Sequence, residues 1–291
     1  MSSKPVLVIT GPTGVGKTAI SLALAKHFGG EIINADASQI YQKLNIGTAK
    51  ITIDEMGGIP HHMMSFLKPG ERFSIKSYQD ETRRLLEVIN RPILVGGSGL
   101  YIRSALSDYD LSTSASLQVD DSTLSNEELY QELVRLDSEA ASKTHPNNRR
   151  RVLRYLEIAK ERGRVLTKEA TWLYPTLILC CERPRNILYQ RINKRVLDMI
   201  QIGWIDEVQD LEAQGIPIKD IKEIGYRELA SYLHGGTSYE ETISMIQQKT
   251  RHYAKRQMTF FRHQLPCYFI DLETTTLEEI INQVTSFYKS C

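Results

Sequence analysis

The chain has 291 residues, and its 36 lysines and arginines nearly balance its 35 aspartates and glutamates, which leaves a net charge of +1. Such a balance gives no overall field to attract nucleic acid, so local patches must bind any such partner. No apolar run approaches the roughly 20 residues of a membrane span, and the opening "MSSKPVLVIT" leaves no room for a signal peptide. The cysteines lack C-x-x-C spacing, and we expect a reduced, cytoplasmic protein without membrane contact.

The first predicted unit is a strand, a glycine-rich loop and a helix. "PVLVIT" is an apolar run typical of a buried parallel strand, and "TAISLALAKHF" carries apolar residues at helical spacing. The loop between them, "GPTGVGKT", matches G-x-x-x-x-G-K-[ST] and predicts a P-loop, in which backbone N–H groups and the helix N-terminus bind phosphates. Lys17 would lie along the terminal phosphates, and the hydroxyl of Thr18 would be a ligand of Mg²⁺.

Three further apolar runs predict strands. "EIINAD" ends at Asp36, "PILVGGSGLY" passes through Gly96–Ser98 into a new helix, and "TLILCCE" spans 176–182, while 74–91 reads as an amphipathic helix. Strands that alternate with helices indicate an α/β fold, here a P-loop NTPase-like parallel sheet core with helices on both faces. Because such sheets bind ligands outside the carboxyl ends of their strands, we expect the P-loop, Asp36 and Gly96–Ser98 to share one cleft.

The strand signals are absent between Leu106 and Pro175. A polar stretch rich in serine and aspartate (107–125) predicts a loop, and two helical patterns separated by "THPN" follow it. We therefore predict a small helical insertion domain within the sheet core, and a mostly helical chain after the fourth strand. The predicted segments are 1–108 (first part of the core), 109–174 (insertion) and 175–291 (completion of the core and C-terminal helices).

Two polar residues at predicted strand ends are candidates for chemistry. Asp36 could accept a proton from a nucleophile that approaches the bound phosphates, although an N-cap or turn aspartate would look the same in sequence. Ser98 could direct its hydroxyl at the phosphate site, but glycine turns of this kind are common. The strand "RPILVGGSG" carries no Walker-B aspartate, which argues against a motor or switch ATPase.

Basic residues are concentrated in three places. Arg191 and Arg195 are four positions apart on one predicted helix and could close over a phosphate group, or form a solvated basic face. Seven basic residues lie within 148–164, and five basic residues without an acid lie within 249–262. The second segment interleaves aromatic residues that could stack on unpaired bases, although core packing is the favoured interpretation for Phe260 or Phe261. These segments are candidate RNA-binding surfaces.

In these residues the sequence resembles the tRNA dimethylallyltransferases. The resemblance rests on "GPTGVGKT", "DASQIYQKLNIGTAK", "IPHHM", "LVGGSGLY", "HPNNRRRVLRYLE", "IKEIGYREL" and "YAKRQMTFFR", which follow one another from the P-loop almost to the end of the chain. It implies transfer of a dimethylallyl group from dimethylallyl diphosphate to N6 of an adenosine next to the anticodon, with release of diphosphate. It implies the tRNA anticodon arm as partner and Mg²⁺ as cofactor, and we expect a monomer.

The resemblance also assigns roles to residues. The catalytic group would comprise Asp36 as general base, Ser98 at the diphosphate and Arg195 on the leaving group, and the base must flip out of its stack to reach them. The diphosphate would be bound by Gly11, Pro12, Thr13, Gly14, Val15, Gly16, Lys17 and Thr18, with Thr18 as metal ligand. The tRNA contacts would be Asp36, Ala37, Ser38, Gln39, Arg150, Arg151, Arg154, Gly225, Tyr226, Arg227, Arg251, Lys255, Arg256, Gln257 and Arg262.

The sequence departs from the family pattern at several positions, and other functions stay open. Ala37 stands where the family has serine, Ser98 where it has threonine, and the stretch after Leu111 lacks a proline-containing run and its arginine. No zinc-finger tail is expected, as in bacterial or organellar members. The alternatives are an adenylate isopentenyltransferase, whose acceptor is a free nucleotide, a P-loop kinase of a small metabolite, and an RNA-binding P-loop protein without catalysis.

Overall fold

The structure is a computed structural model, and it describes residues 4–109, 111, 124–163, 165 and 171–291. Two features of the sequence analysis lie outside this part of the chain: most of the polar stretch 107–125, and Arg164 of the first basic segment. Within the described helices, none is long and apolar enough to cross a membrane.

The helices and strands of the chain alternate as the sequence predicts. The first half contains β1 (Val6–Thr10), α1 (Lys17–Phe28), β2 (Glu31–Asn34), α2 (Ile53–Met56), β3 (His61–His62), α3 (Ile75–Val88), β4 (Pro92–Val95), α4 (Gly99–Leu106), α5 (Asn126–Leu136), α6 (Ser138–Ser142) and α7 (Arg149–Arg162). The second half contains β5 (Thr176–Glu182), α8 (Arg185–Gln201), α9 (Trp204–Ala213), a 3₁₀ turn (Ile218–Asp220), α10 (Tyr226–Leu233), α11 (Tyr239–Gln264), β6 (Tyr268–Asp271) and α12 (Leu277–Ser290).

One sheet organises the larger part of the molecule. Over the described residues its order is β3-β2-β4-β1-β5-β6, and all the pairings are parallel. Along β1, Val6 and Val8 join one apolar cluster, whereas Leu7 and Ile9 join the cluster on the other face. A strand buried on both faces needs apolar residues at every position, which explains the continuous apolar run of β1. The predicted α/β fold with a parallel sheet is confirmed.

The sequence predicts four strands, and two of the strands in the described structure, β3 and β6, are not among them. Strand β3 consists of only two residues, too few to show any alternation. Strand β6, "YFID", lies in the region predicted to be mostly helical and pairs with β5 at the edge of the sheet. Its first residue, Tyr268, is exposed, so the strand lacks the continuous apolar run that marks a buried parallel strand.

The chain divides into two compact units, 1–107 with 172–291, and 108–171. The larger unit contains the sheet. In the described part of the smaller unit, three helices (α5, α6 and α7) surround an apolar cluster, where the sequence predicts two helices. The members of that cluster are Leu129, Leu133, Ala140, Ala141, Val152 and Leu156. A short helix such as α6, with one serine at each end, shows no helical periodicity in sequence.

Candidate active site

The glycine-rich loop between β1 and α1 has the backbone of an anion-binding loop. Gly11, Gly14 and Gly16 have φ angles of +139°, +80° and +111°, a region that side chains with a Cβ atom rarely adopt. A Cβ atom on Gly11 would lie 2.4 Å from the carbonyl oxygen of Cys181, so only glycine fits at this position. The loop leads directly into the N-terminus of α1, which begins at Lys17, and this places partial positive charge at the loop.

Lys17 is folded against its own loop. Its Nζ atom donates hydrogen bonds to the carbonyl oxygens of Gly11 (2.9 Å) and Pro12 (3.0 Å). The pKa of Lys17 is lowered, mainly because burial disfavours the charged amine, while the nearby carboxylate of Asp36 opposes this effect. A polyanion bound in the loop would favour the charged form of the lysine.

Two arginines hold the outer carbonyl groups of the loop. Arg191 Nε donates to the carbonyl oxygen of Gly14 at 3.0 Å, and Arg183 Nε donates to that of Val15 at 2.9 Å. Arg183 also forms an ion pair with Glu273, in the turn after β6. Arg191 is a candidate from sequence, whereas Arg183 has no spacing or motif that would single it out. These contacts fix the carbonyl groups of Gly14 and Val15 and with them the conformation of the loop.

Asp36 is held in place through the side chain of Asn34. The amide of Asn34 donates to the Asp36 carbonyl oxygen at 3.0 Å, and the Asp36 backbone N–H donates back to Asn34 Oδ1 at 3.0 Å. The carboxylate of Asp36 accepts a hydrogen bond from the Ser38 N–H at 3.0 Å. An acid with a fixed backbone and one oxygen already oriented is suited to accept a proton at a defined position.

Ser98 connects the turn after β4 to this segment. Its Oγ accepts a hydrogen bond from the backbone N–H of Ala37 at 3.0 Å, and Ser98 does not line either of the two cavities beside Asp36 described next. Its contact therefore orients the residue that follows Asp36. A direct role of Ser98 at a diphosphate stays a prediction.

Two large cavities meet at Asp36. One, of about 500 Å³, is lined by five P-loop residues (Thr13, Gly14, Gly16, Lys17 and Thr18) and by basic residues of α8, namely Arg191, Lys194 and Arg195. The other, of about 280 Å³, has an apolar wall formed by Ile192, Val196, Met199, Trp204 and Ile224. Both cavities are lined by Thr13, Asp36, Thr48, Ala49 and Arg195. The site thus combines a cationic cavity with a second one, here named the apolar cavity after that wall although Lys222 and Glu223 also line it, and both share the carboxylate of Asp36.

Arg195 lines both cavities, and its contact with a leaving diphosphate stays a prediction. Its pKa is lowered mainly by burial, and the charge of Asp36 opposes that shift. The carboxyl group of Glu223 also lines the apolar cavity, and burial raises its pKa, with a further rise from Asp36. The sequence analysis does not identify Glu223 individually, because only the fold brings it beside Asp36.

Trp204 lines the apolar cavity and packs between two glycines. A Cβ atom on Gly47 would lie 2.3 Å from Trp204 Nε1, and one on Gly225 would lie 2.1 Å from the indole ring. Trp204 is 2% exposed. Gly225, a predicted tRNA contact, is therefore required for the packing of this indole. Tyr226, another predicted tRNA contact, is fully buried, so we assign it to the core instead.

Glu207 of α9 holds the loop that forms one wall of both cavities. Its carboxylate accepts hydrogen bonds from the backbone N–H groups of Asn45 (2.9 Å), Ile46 (2.8 Å) and Gly47 (3.2 Å). The hydroxyl of Tyr226 donates a fourth at 2.7 Å. Because Thr48 and Ala49 follow directly in this loop, Glu207 determines where the cavity wall stands. No signal in the sequence connects a helix residue to a loop about 160 positions earlier.

The predicted RNA-binding residues of α11 have different environments. Lys255 and Arg256 are exposed, and Arg256 lines the apolar cavity. Arg251 donates to Asn193 Oδ1 at 2.6 Å, and exposed Arg262 pairs with Glu182 at 3.2 Å. Gln257, by contrast, is 6% exposed and forms hydrogen bonds inside the protein, which does not fit contact with RNA. Phe261 is fully buried, as the packing interpretation expects.

The other predicted RNA contacts lie on the surface or at the site. Arg150 and Arg151 are exposed on α7, where Arg154 pairs with Glu157 at 3.1 Å. Arg227 is exposed at the start of α10. Of the segment after β2, Ser38 and Gln39 line the two cavities, whereas Ala37 packs partly against the core.

The donor groups at the site fit a metal only together with a phosphate ligand. Among the residues that the structure describes, no group of three or more His, Cys, Asp or Glu side chains could hold a metal ion. Thr18 is exposed and lines the cationic cavity. A single hydroxyl suits Mg²⁺, which protein side chains commonly bind through one or two ligands while substrate phosphates and waters supply the others.

Comparisons with known proteins agree over almost the whole chain. A family profile described as IPP transferase matches residues 39–264, and one described as isopentenyl transferase matches residues 4–65. The chain is 41% identical to a tRNA dimethylallyltransferase of Anoxybacillus flavithermus, over 97% of the chain and 95% of the relative. It is 39% identical to a tRNA dimethylallyltransferase of Staphylococcus aureus, over 99% of both proteins.

Solved structures show the same similarity. A tRNA delta(2)-isopentenylpyrophosphate transferase from Staphylococcus epidermidis superposes with a TM-score of 0.75 at 36% identity, over 99% of both chains. A eukaryotic dimethylallyltransferase acting on tRNA superposes with a TM-score of 0.86 at 29% identity, over 99% of this chain and 80% of that one.

Proposed function

The chain belongs to the IPP transferase family, and on that premise we propose that it transfers a dimethylallyl group from dimethylallyl diphosphate to N6 of an adenosine next to the anticodon of a tRNA, with release of diphosphate. The observation that carries this proposal is the pair of cavities that meet at Asp36. A prenyl diphosphate has one polyanionic end and one apolar end, and the reaction takes place at the carbon that joins them. The site has the same two-part chemistry.

The cationic cavity would hold the diphosphate. Lys17 and Arg195 line it together with other P-loop residues, and charged donors in a partly enclosed site stabilise the negative charge that grows on a leaving group. The P-loop then acts as a clamp on the leaving diphosphate. A kinase would use the same loop to hold a phosphate that is transferred, but the apolar cavity beside Asp36 would have no purpose in that reaction.

The apolar cavity would hold the dimethylallyl group. Its wall of Ile192, Val196, Met199, Trp204 and Ile224 offers aliphatic and aromatic surface, against which a branched five-carbon chain is removed from water. Exclusion of water at this position also protects a carbon that is losing its leaving group from hydrolysis.

Asp36 would accept the proton of the reaction. The N6–C bond forms as the C–O bond to the diphosphate breaks, and one N6 proton passes to the carboxylate of Asp36. Because Asp36 lines both cavities, it would lie beside both the carbon and the incoming amine. General-base assistance of this kind contributes about 10²- to 10⁴-fold to a rate.

Thr18 would bind Mg²⁺ with the phosphate oxygens. The metal supplies positive charge that neutralises the departing diphosphate when it is bound. Residues of the chain do the remaining work: Lys17 and Arg195 orient the diphosphate, and the α1 N-terminus contributes its partial charge.

The RNA would be bound by exposed basic side chains. In the larger unit these are Arg227, Lys255 and Arg256, and in the 108–171 unit they are Arg150 and Arg151. They would position the anticodon arm through its phosphates, which gives affinity that depends on salt concentration. The target adenosine must leave its stack to bring N6 to Asp36.

The test is an acceptor competition with dimethylallyl diphosphate labelled in its carbon chain. Unmodified tRNA and AMP are offered separately, with Mg²⁺ present, and label is followed into each. We expect label in tRNA and not in AMP, since a free nucleotide has no use for the basic surfaces. Label in AMP alone would identify an adenylate isopentenyltransferase, and label in neither would refute prenyl transfer.

A further inference from the structure

The side chain of Gln257 bridges the P-loop and the turn after β4. Its Oε1 accepts a hydrogen bond from the backbone N–H of Thr13 at 2.9 Å, and its Nε2 donates to the carbonyl oxygen of Gly97 at 3.0 Å. The residue is 6% exposed. Both ends of the amide are therefore used within the protein, and neither is directed at solvent.

The turn after β4 is shaped to receive this side chain. A Cβ atom on Gly97 would lie 2.2 Å from Gln257 Nε2, and one on Gly99 would lie 2.3 Å from the ring of Phe260. Gly97 and Gly99 thus allow α11 to approach the turn closely. Gln257 lies 244 positions after Thr13 and 160 positions after Gly97 in the sequence, so the bridge exists only in the folded chain.

The bridge has a direct consequence for the phosphate site. Thr13 lines both cavities at Asp36, and its backbone direction is set by the hydrogen bond to Gln257. Gln257 also follows Arg256 directly on α11, and Arg256 lines the apolar cavity. A hydrogen bond to a buried amide is stronger and more directional than one exposed to water.

We propose that Gln257 is a positioning residue of the diphosphate site: it holds the first turn of the P-loop in register with α11 and does not contact RNA. The inference rests on the proposed function only for the identity of the donor, since the phosphate cradle binds diphosphate whatever the acceptor is. It replaces the role that the family resemblance assigns to this position.

The first test compares Gln257→Met with Gln248→Met. Methionine keeps the volume of glutamine and removes both hydrogen bonds, while Gln248 is exposed on the same helix and provides the matched control. Binding of inorganic diphosphate with Mg²⁺ is measured by calorimetry, RNA binding by filter retention, and folding by thermal denaturation. We expect about tenfold weaker diphosphate binding in Gln257→Met, the loss that follows from one or two buried hydrogen bonds.

RNA affinity should stay within twofold of the wild type in both variants, and Gln248→Met should bind diphosphate normally. In the transfer reaction, Gln257→Met should raise KM for dimethylallyl diphosphate without raising KM for tRNA. Weaker RNA binding with unchanged diphosphate binding would overturn the proposal and restore Gln257 to the RNA surface.

A second test reaches the same bridge from its other end. Gly97→Ala would displace the amide of Gln257, because its new methyl group occupies the position of Nε2. In a Gln257→Ala background the methyl group meets no side chain of residue 257, so Gly97→Ala should add no more than a twofold further loss of diphosphate affinity. Losses that multiply fully in the double variant would show that the two positions act independently and would contradict the bridge.

Discussion

The region at the carboxyl end of the sheet around Asp36 (the catalytic end) and the helical unit 108–171 hold their polar residues in different ways. At the catalytic end, side chains are fixed by hydrogen bonds to backbone groups distant in sequence, as Gln257 is to Thr13 and Glu207 is to Ile46. In the helical unit, ion pairs join side chains near the surface, such as exposed Lys143 with Glu139 one turn earlier in the chain. Such surface pairs contribute little to stability and reorganise easily.

This difference indicates a division of work. Catalysis needs reacting groups held within a fraction of an ångström, and the hydrogen bonds at the catalytic end fix side chains in this way. Attraction of a phosphate backbone depends mainly on the number of positive charges and tolerates mobile side chains. We therefore expect substitutions at the catalytic end to lower the efficiency of transfer, and substitutions on α7 to lower RNA affinity alone.

The largest effect is expected at Asp36. Asp36→Ala and Asp36→Asn remove the proton acceptor, and we predict a loss of about 10³-fold in the single-turnover rate with RNA affinity unchanged. Rapid-quench measurement with enzyme in excess over tRNA provides the rate. Transfer at the wild-type rate in either variant would exclude Asp36 as the base.

The next effect is expected at Lys17. Lys17→Met removes a charge from the cationic cavity, and we predict about a 10²-fold fall in kcat/KM for dimethylallyl diphosphate, in the range of other charge-stabilising contacts. Lys26→Met is the control, because Lys26 lies exposed on the same helix. Equal effects of the two substitutions would contradict a specific role of Lys17 at the diphosphate.

A smaller effect, of a different kind, is expected on α7. The double variant Arg150→Ala/Arg151→Ala should weaken RNA binding about tenfold and reduce the slope of log affinity against log salt by about 1 to 2. Lys143→Ala removes a charge that pairs with Glu139 and serves as the control in the same unit. An unchanged slope, or a lower single-turnover rate at saturating RNA, would break the division of work.

The smallest effect concerns the pH dependence of stability. Burial lowers the pKa of Lys50 to about 8, opposed by the charge of Glu207. Between this pKa and the usual value of 10.5 the unfolded chain binds more protons than the folded one, so stability rises with pH through that window. Relative to Lys50→Met, the wild type should gain in Tm between pH 7.5 and about 10. A constant difference in Tm would disprove this linkage.

The sequence predicts the local parts of the site better than the distant ones. The P-loop and Asp36 could be found because strand ends and a fixed motif mark them. The structural roles of Glu207, Gln257 and the two glycines around Trp204 could not be predicted, because each acts on a residue far away in sequence. Gln257 and Tyr226 lie within segments that the family resemblance assigns to RNA, but burial gives them other roles.

The strands of the sheet were likewise predictable only where the local sequence carries a clear apolar pattern. The four strands with continuous apolar runs were predicted, whereas β3 and β6, short and at the two edges of the sheet, were not. A strand that pairs on one side only needs fewer apolar residues, and its pattern is weaker.

The central claim, that the P-loop holds a diphosphate leaving group, is tested most directly with dimethylallyl diphosphate labelled separately in C1 and in its β-phosphorus. The account predicts that the carbon label appears in tRNA, that the phosphorus label appears in equal amount as free inorganic diphosphate, and that ATP added to the reaction is neither consumed nor required. Phosphorus label in an acceptor, or hydrolysis of ATP coupled to turnover, would show that the loop serves phosphoryl transfer and would contradict the account.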